Sequence, residues 1–127
     1  DDNHNSPLSF AVNKNNTKIV EYLINAGADV NREDGFGFTP LIKAISNKNI
    51  DMVKCLVQGG ANVNKKGKSG MKPLIYALRN KLLTIVKYLI KAGANVNEED
   101  KYGNTPLMEA INQDSIVSVK YLIENGA

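Results

Sequence analysis

The 127-residue chain has no tryptophan, one cysteine, one histidine and three phenylalanines. Because Cys55 has no second cysteine to pair with, an internal disulfide framework and a cluster of thiolate metal ligands are excluded, and a reducing, intracellular setting is favoured. No apolar run approaches the roughly 18 residues that a membrane-spanning helix needs. These shortages argue against a disulfide-rich secreted domain and against a membrane-spanning segment.

The remaining composition is that of one globular domain, with 43% hydrophobic and 23% charged residues. The net charge of +3 is unevenly distributed. Residues 34–66 and 67–99 carry +3 and +4, whereas residues 1–33 and 100–127 each carry −2. A strongly basic nucleic-acid-binding protein would show a more uniform excess of positive charge.

An internal repeat organises the whole chain. The four prolines, Pro7, Pro40, Pro73 and Pro106, follow one another at intervals of 33 residues. Gly-Ala pairs, Val-Asn pairs and single alanines recur at the same interval. The spacing predicts four repeats with the boundaries 1–33, 34–66, 67–99 and 100–127.

Each repeat is predicted to contain two short helices and a long turn. In the second repeat Thr39 is placed to cap the first helix and Pro40 stands at its first position. Asn49 is placed to cap the second helix, and Gly60 ends it. Helix pairs this short do not bury both faces alone, so the repeats must stack, with Leu56 buried between helices.

The stretches "DGFGFTPLIKAISNKNIDMVKCLVQGGANVN" and "EEDKYGNTPLMEA" resemble the ankyrin repeat family, and the resemblance covers essentially the whole chain. It implies an all-α solenoid of stacked helix-turn-helix units, with β-hairpin fingers that project to form a concave face. It also implies that Asp34 and Asp100 tie down the backbone of their fingers.

Departures from the family pattern predict local differences. Lys72 replaces a capping threonine, which should cost about 1 kcal/mol. His4 stands where the other fingers have glycine, so the first finger should be reshaped. Non-glycine residues with positive φ are expected between the two helices of each repeat, at Asn15, Lys48, Lys81 and Asp114. Val117 and Tyr121 stand where a following repeat would cover them, so the chain is expected to be a segment of a longer array.

Catalytic chemistry is not predicted. His4 is a poor candidate base, and Cys55 occupies the helix position of Tyr22, Tyr88 and Tyr121, which favours a packed structural thiol. The acidic run at residues 98–100 is interpreted as a solvated turn. No phosphate-binding glycine loop and no zinc-ligand spacing occurs. We therefore expect no enzyme activity, cofactor or metal in this segment.

The resemblance implies that recognition residues lie on the fingers and on the exposed end of each first helix. Carried over by position, the candidates are Gly35, Phe36, Phe38, Ser46 and Asn47 in the second repeat, Lys68, Ser69, Met71, Arg79 and Asn80 in the third, and Lys101, Tyr102, Asn104, Asn112 and Gln113 in the fourth. These positions are rich in the aromatic, methionine and arginine residues that interfaces favour.

The aromatic residues among these candidates have two interpretations. Phe36 and Tyr102 either lie flat against a neighbouring finger or contact a partner. Phe38 is expected to be solvent-accessible and to form a contact surface with Met71 and Arg79. Arg79 is expected to pair with a carboxylate of the partner.

Two classes of function remain. The favoured one is a protein-interaction module that binds a folded partner or an acidic peptide, in the cytoplasm or nucleus or after delivery into a host cell. The alternative is contact with a polyanion or nucleic acid through the basic residues of the second and third repeats, Lys65, Lys66, Lys68, Lys72, Arg79 and Lys81. Acidic neighbours of these residues would repel phosphates, which favours the first class.

Overall fold

The computed structural model describes residues 6–68 and 70–127 of the chain. The described residues form helices in pairs, with no strand among them. The helices are α1 (Pro7–Asn13), α2 (Thr17–Asn25), α3 (Pro40–Ser46), α4 (Ile50–Gln58), α5 (Pro73–Arg79), α6 (Leu83–Lys91), α7 (Pro106–Asn112) and α8 (Ile116–Glu124). The all-helical solenoid expected from the sequence is confirmed. None of these helices has the length and apolarity that crossing a membrane requires.

Side-chain caps fix the starts of most helices. Thr39 Oγ1 accepts a hydrogen bond from the backbone N–H of Ile42 (3.1 Å), and Asn49 Oδ1 accepts one from Met52 (3.1 Å). The third repeat differs, because neither Lys72 before α5 nor Leu82 before α6 provides a side-chain cap. The missing cap at Lys72 follows the sequence prediction.

The connection between the two helices of each repeat adopts the left-handed conformation that the sequence predicts. The φ angles there are 58° at Asn15, 58° at Lys48, 60° at Lys81 and 53° at Asp114. After α4, Gly60 has a φ of 102°. This conformation costs glycine nothing, so the second helix ends cleanly.

The core lies between successive repeats. Each first helix packs on its own second helix, and α3 packs on both α1 and α5, while α4 packs on both α2 and α6. Leu56 and its equivalents Leu89 and Leu122 are completely buried. The burial of Leu56 between helices is therefore confirmed.

Asparagine side chains connect the ends of neighbouring repeats. Asn31 Oδ1 accepts a hydrogen bond from the backbone N–H of Asn62, and Asn64 Oδ1 accepts one from Asn95, both at 2.8 Å. Asn64 Nδ2 also donates to the carbonyl of Gly93 at 3.3 Å. These contacts satisfy backbone groups of the long turns and hold the repeats in register.

The fingers are tight turns rather than hairpins. In the second repeat the N–H of Asp34 donates to the carbonyl of Phe38 (2.9 Å), and the Asp34 carboxylate accepts from the N–H groups of Phe36 and Phe38. Since one such backbone pair closes each turn, no ladder long enough for a strand forms in the described residues. Adjacent turns are linked by the N–H of Lys68, which donates to the carbonyl of Gly37 (2.9 Å). The expected first finger, with His4, lies outside the described residues.

Candidate functional site

The turns at residues 34–38, 67–71 and 100–104, together with α3, α5 and α7, form what we call the turn–helix face. Between its third and fourth repeats lies a depression of about 100 Å³. Four of the predicted recognition residues line it: Met71, Arg79, Lys101 and Tyr102. Spacing therefore identified residues that do share a surface, although they come from three separate elements.

Tyr76 also lines this depression, and sequence reasoning missed it. Its side chain is half-buried and its carbonyl accepts a hydrogen bond from Asn80 Nδ2 at 2.8 Å. The equivalent positions hold Phe10, Lys43 and Glu109. This variation between repeats could have identified Tyr76 as a surface residue, because a position that only packs the core keeps similar residues in every repeat.

Phe36 and Tyr102 project into solvent. Their exposed fractions are 75% and 76%, so the interpretation of either ring as a spacer packed against a neighbouring turn is wrong. Each residue is held by its backbone, because its N–H donates to the carboxylate of Asp34 or Asp100 at 2.8 Å. The expectation that these aspartates tie down the turns is confirmed. The turn presents both rings without burying them.

Phe38 is half-buried, which corrects the expectation of an open, solvent-accessible ring. Lys43 Nζ lies 5.5 Å from the centre of the Phe38 ring, within the range of a cation–π contact. Phe38 does not line the depression that contains Met71 and Arg79. Of the three residues expected to form one contact surface, Met71 and Arg79 share the depression and Phe38 lies outside it.

Arg79 is already paired within the chain. Its Nε lies 3.2 Å from Glu109 Oε1, and the Glu109 side chain is buried. Gln113 Nε2 donates to the same oxygen at 3.2 Å. The next repeat therefore already supplies Arg79 with one carboxylate, and pairing of its exposed side with a carboxylate of a partner stays a prediction.

The other predicted residues occupy the edges of the turn–helix face. Asn104 is fixed by its N–H and its side-chain amide, which both donate to Asp100. Lys68, Asn47 and Asn112 are exposed, and Ser46 is half-buried at the end of α3. Ser69 lies outside the described residues. None of these predicted residues that the structure describes lines the central depression.

A larger open groove lies beside the depression on the side of the long turns. We call it the lysine groove; its volume is about 660 Å³ and it is lined by Asn64, Lys65, Lys66, Gly70, Lys72, Glu99, Asp100 and Lys101. Lys72 lines both cavities. The groove therefore extends the turn–helix face into a basic surface.

Two charged side chains of the lysine groove, Lys65 and Asp100, form hydrogen bonds within the chain. Lys65 Nζ donates to the carbonyl of Asn31 at 2.7 Å. The carboxylate of Asp100 accepts hydrogen bonds from Asn104 and from the N–H of Tyr102, and these bonds hold its pKa below the usual value. Four lysines line the groove against two carboxylates, Glu99 and Asp100, which gives the groove a positive balance.

Glu98 lies buried beside this groove, which sequence reasoning missed when it interpreted residues 98–100 as a solvated turn. The residue is 4% exposed, and its Oε2 lies 3.8 Å from Lys72 Nζ. Its Oε1 is buried and accepts no hydrogen bond from the described residues. Burial raises the pKa of Glu98 to about 7, although the positive charge of Lys72 opposes the rise.

The remaining reactive side chain is Cys55, which behaves as a packed thiol. It is half-buried, and its Sγ lies 3.6 Å from the carbonyl of Thr17. Burial, with a smaller effect of Glu21, raises the pKa of the thiol. Within residues 6–68 and 70–127, no group of three or more histidine, cysteine or acidic side chains is placed to hold a metal ion.

Comparison with known protein families matches the chain to a family described as "Ankyrin repeats (3 copies)", over residues 1–67 and again over residues 60–127. Comparison with curated protein sequences finds no match.

Proposed function

The chain belongs to the ankyrin repeat family, and we propose that it is a protein-interaction module that binds its partner through the turn–helix face. Ankyrin repeats are generally protein–protein interaction modules and are generally non-catalytic. Two further parts of the proposal are that the turn–helix face is the binding surface and that the chain has no catalytic activity. The residues exposed on this face support both.

The observation that carries the proposal is the exposure of two aromatic rings on rigid turns. The backbone N–H groups of Phe36 and Tyr102 are fixed by turn-forming hydrogen bonds to Asp34 and Asp100, yet both side chains are largely exposed to solvent. Tyr102 lines a depression together with Met71 and Tyr76. An exposed aromatic ring in such a place is typical of an interface anchor, because it binds with little loss of conformational entropy.

A nucleic-acid function has weaker support. Of the basic residues that would carry it, Lys65 donates to a backbone carbonyl and Arg79 pairs with Glu109. Glu99 is exposed at the same groove. Fewer free cations therefore remain for phosphates than the sequence indicates.

We also propose that further ankyrin repeats follow in the parent protein and that the protein works inside a cell. The outer face of the fourth repeat exposes Met108, Ile111 and Ile123. The equivalent residues of the third repeat, Ile75, Leu78 and Ile90, are buried by the repeat that follows them. An identical pattern of apolar residues fits the same kind of cover.

The test is capture of a partner by matched variants. Tyr102→Ala removes an exposed ring from the turn–helix face, and Tyr22→Ala removes a ring of equal exposure, 75%, from α2. A protein captured by the wild type and by Tyr22→Ala, but lost or weakened with Tyr102→Ala and Phe36→Ala, supports the proposal. Equal capture by all variants contradicts it.

A further inference from the structure

Lys72 can pair either with the buried Glu98 or with an anion in the lysine groove. Its ammonium group is 3.8 Å from the Oε2 of Glu98, and its side chain also lines the open lysine groove. Because it is partly exposed while Glu98 is almost completely buried, solvent and ligands reach the lysine but not the glutamate. Any anion in the groove therefore meets a cation whose charge is shared with a buried carboxyl group.

We propose that the lysine groove binds an acidic segment of the partner protein, and that the Glu98 carboxyl group controls the affinity by competing for Lys72. The inference rests on the proposed function and adds the chemistry of the partner and its regulation. Charge complementarity selects the occupant, since the four lysines that line the groove outnumber its two carboxylates, Glu99 and Asp100.

The geometry of Glu98 supports its part in the proposal. A carboxylate with one buried oxygen that accepts no hydrogen bond is poorly stabilised in its charged form. At the equivalent position of the preceding repeat, Lys65 reaches back and donates to the carbonyl of Asn31. A cation therefore suits this position, and glutamate is accommodated best when protonated, in line with the raised pKa of Glu98.

Competition follows from the charge states. When Glu98 is neutral, the charge of Lys72 is available to a carboxylate in the groove. When Glu98 is ionised, it attracts the same ammonium group and repels an incoming anion. The titratable groups that surround the groove are Lys65 and Lys66 after α4, Lys72 before α5, and Glu99, Asp100 and Lys101 before α7. Hydrogen bonds from Asn104 and Tyr102 hold the pKa of Asp100 below its usual value.

The experiment measures the binding of a fluorescent hexaglutamate peptide at constant low ionic strength, at pH 6, 7 and 8. We expect the wild type to bind about fivefold more weakly at pH 8 than at pH 6, the effect of one exposed ion pair. Glu98→Gln should bind at every pH as the wild type does at pH 6. The matched control, Glu99→Gln, should keep the wild-type dependence on pH, and Lys72→Gln should bind weakly throughout.

Each failure has a distinct meaning. If hexaglutamate binds and Glu98→Gln retains the pH dependence of the wild type, the control by Glu98 is wrong. If hexaglutamate binds no better than hexalysine, or if a uridine hexanucleotide binds as tightly, the acidic-peptide site is wrong. Neither result affects the proposed function, which fails only when Phe36→Ala and Tyr102→Ala leave partner capture unchanged.

Discussion

Arg79 Nε and Glu109 Oε1 are 3.2 Å apart, which joins the end of α5 to α7 across the boundary between two repeats. The carboxylate is buried, while the arginine side chain is half-exposed. The pair therefore fixes the wall of the depression beside Met71 and Tyr102. It also leaves the outer edge of the guanidinium open to a partner.

Arg79→Ala is predicted to destabilise the protein by about 1–3 kcal/mol, because the buried Glu109 loses a charged partner and retains the amide of Gln113. Urea unfolding measures the change. Lys91→Ala, at an exposed lysine of α6, is the control and should change stability by less than about 0.5 kcal/mol. Equal effects of the two substitutions would show that the ion pair contributes nothing specific.

Leu56→Ala is predicted to cost about 2–5 kcal/mol, because the side chain is completely buried between helices and its removal leaves a cavity. Ile123→Ala, on the exposed outer face of α8, is the comparison and should cost much less. A loss at Leu56 no larger than the loss at Ile123 would contradict the stacked core.

Leu56 and Glu98 show what the sequence can and cannot predict. A period of 33 residues places Leu56 in the same surroundings as Leu89 and Leu122, so its burial follows from the repeat alone. The burial of Glu98 does not follow from the repeat, because the equivalent positions hold Arg32 and Lys65. Its burial depends on how the side chain turns towards Lys72 in a neighbouring segment, which a pattern of residue types does not encode.

The aromatic residues of the turns show the same limit. Spacing correctly placed Phe36 and Tyr102 on the turns, and Met71 on the same face as Arg79. It did not determine which rings point outwards, because that depends on the backbone conformation that the Asp34 carboxylate imposes and on the ammonium group of Lys43 beside Phe38. Local hydrogen bonds, rather than the repeat, decide the direction of each ring.

Phe36→Ala is predicted to leave stability within about 0.5 kcal/mol of the wild type and to weaken partner binding by about 1 kcal/mol or more. Phe38→Ala should instead lower stability by about 1 kcal/mol, since most of its side chain is withdrawn from water. Thermal unfolding and titration with the captured partner separate the two effects. A Phe36→Ala variant with a lowered melting temperature and normal partner binding would show that the ring stabilises the fold and does not contact the partner.

Lys72→Thr is predicted to stabilise α5 by about 1 kcal/mol when made in a Glu98→Gln background, where no buried carboxylate loses its counter-ion. The backbone is ready for the cap, since φ and ψ at Lys72 are −100° and 141°, close to −98° and 163° at the capping Thr105. Lys72→Val in the same background has the shape of threonine without its hydroxyl group. Equal stability of the two variants would show that no cap forms. The same substitution should weaken hexaglutamate binding, so stability and binding change in opposite directions.

Glu98 gives the stability of the protein a dependence on pH. Its pKa is about 7 in the folded protein and about 4.5 when the chain is unfolded, so the folded state holds the proton more tightly. The resulting stabilisation is complete below pH 4.5 and is lost as the pH rises through 7. Each pKa unit corresponds to about 1.4 kcal/mol, so the loss between these limits approaches roughly 3 kcal/mol.

Glu98→Gln, which keeps the shape of the neutral acid, is therefore predicted to match the wild type near pH 4 and to exceed its stability by up to about 3 kcal/mol at pH 8. Urea unfolding of both proteins across this range gives the difference directly, and most other titrating groups cancel because both proteins contain them. For Glu99→Gln, at the exposed neighbouring residue, the plot of stability against pH should be parallel to that of the wild type. If the Glu98→Gln and wild-type curves are also parallel, the pKa of Glu98 does not change on folding, and Lys72 stabilises the charge as much as burial opposes it.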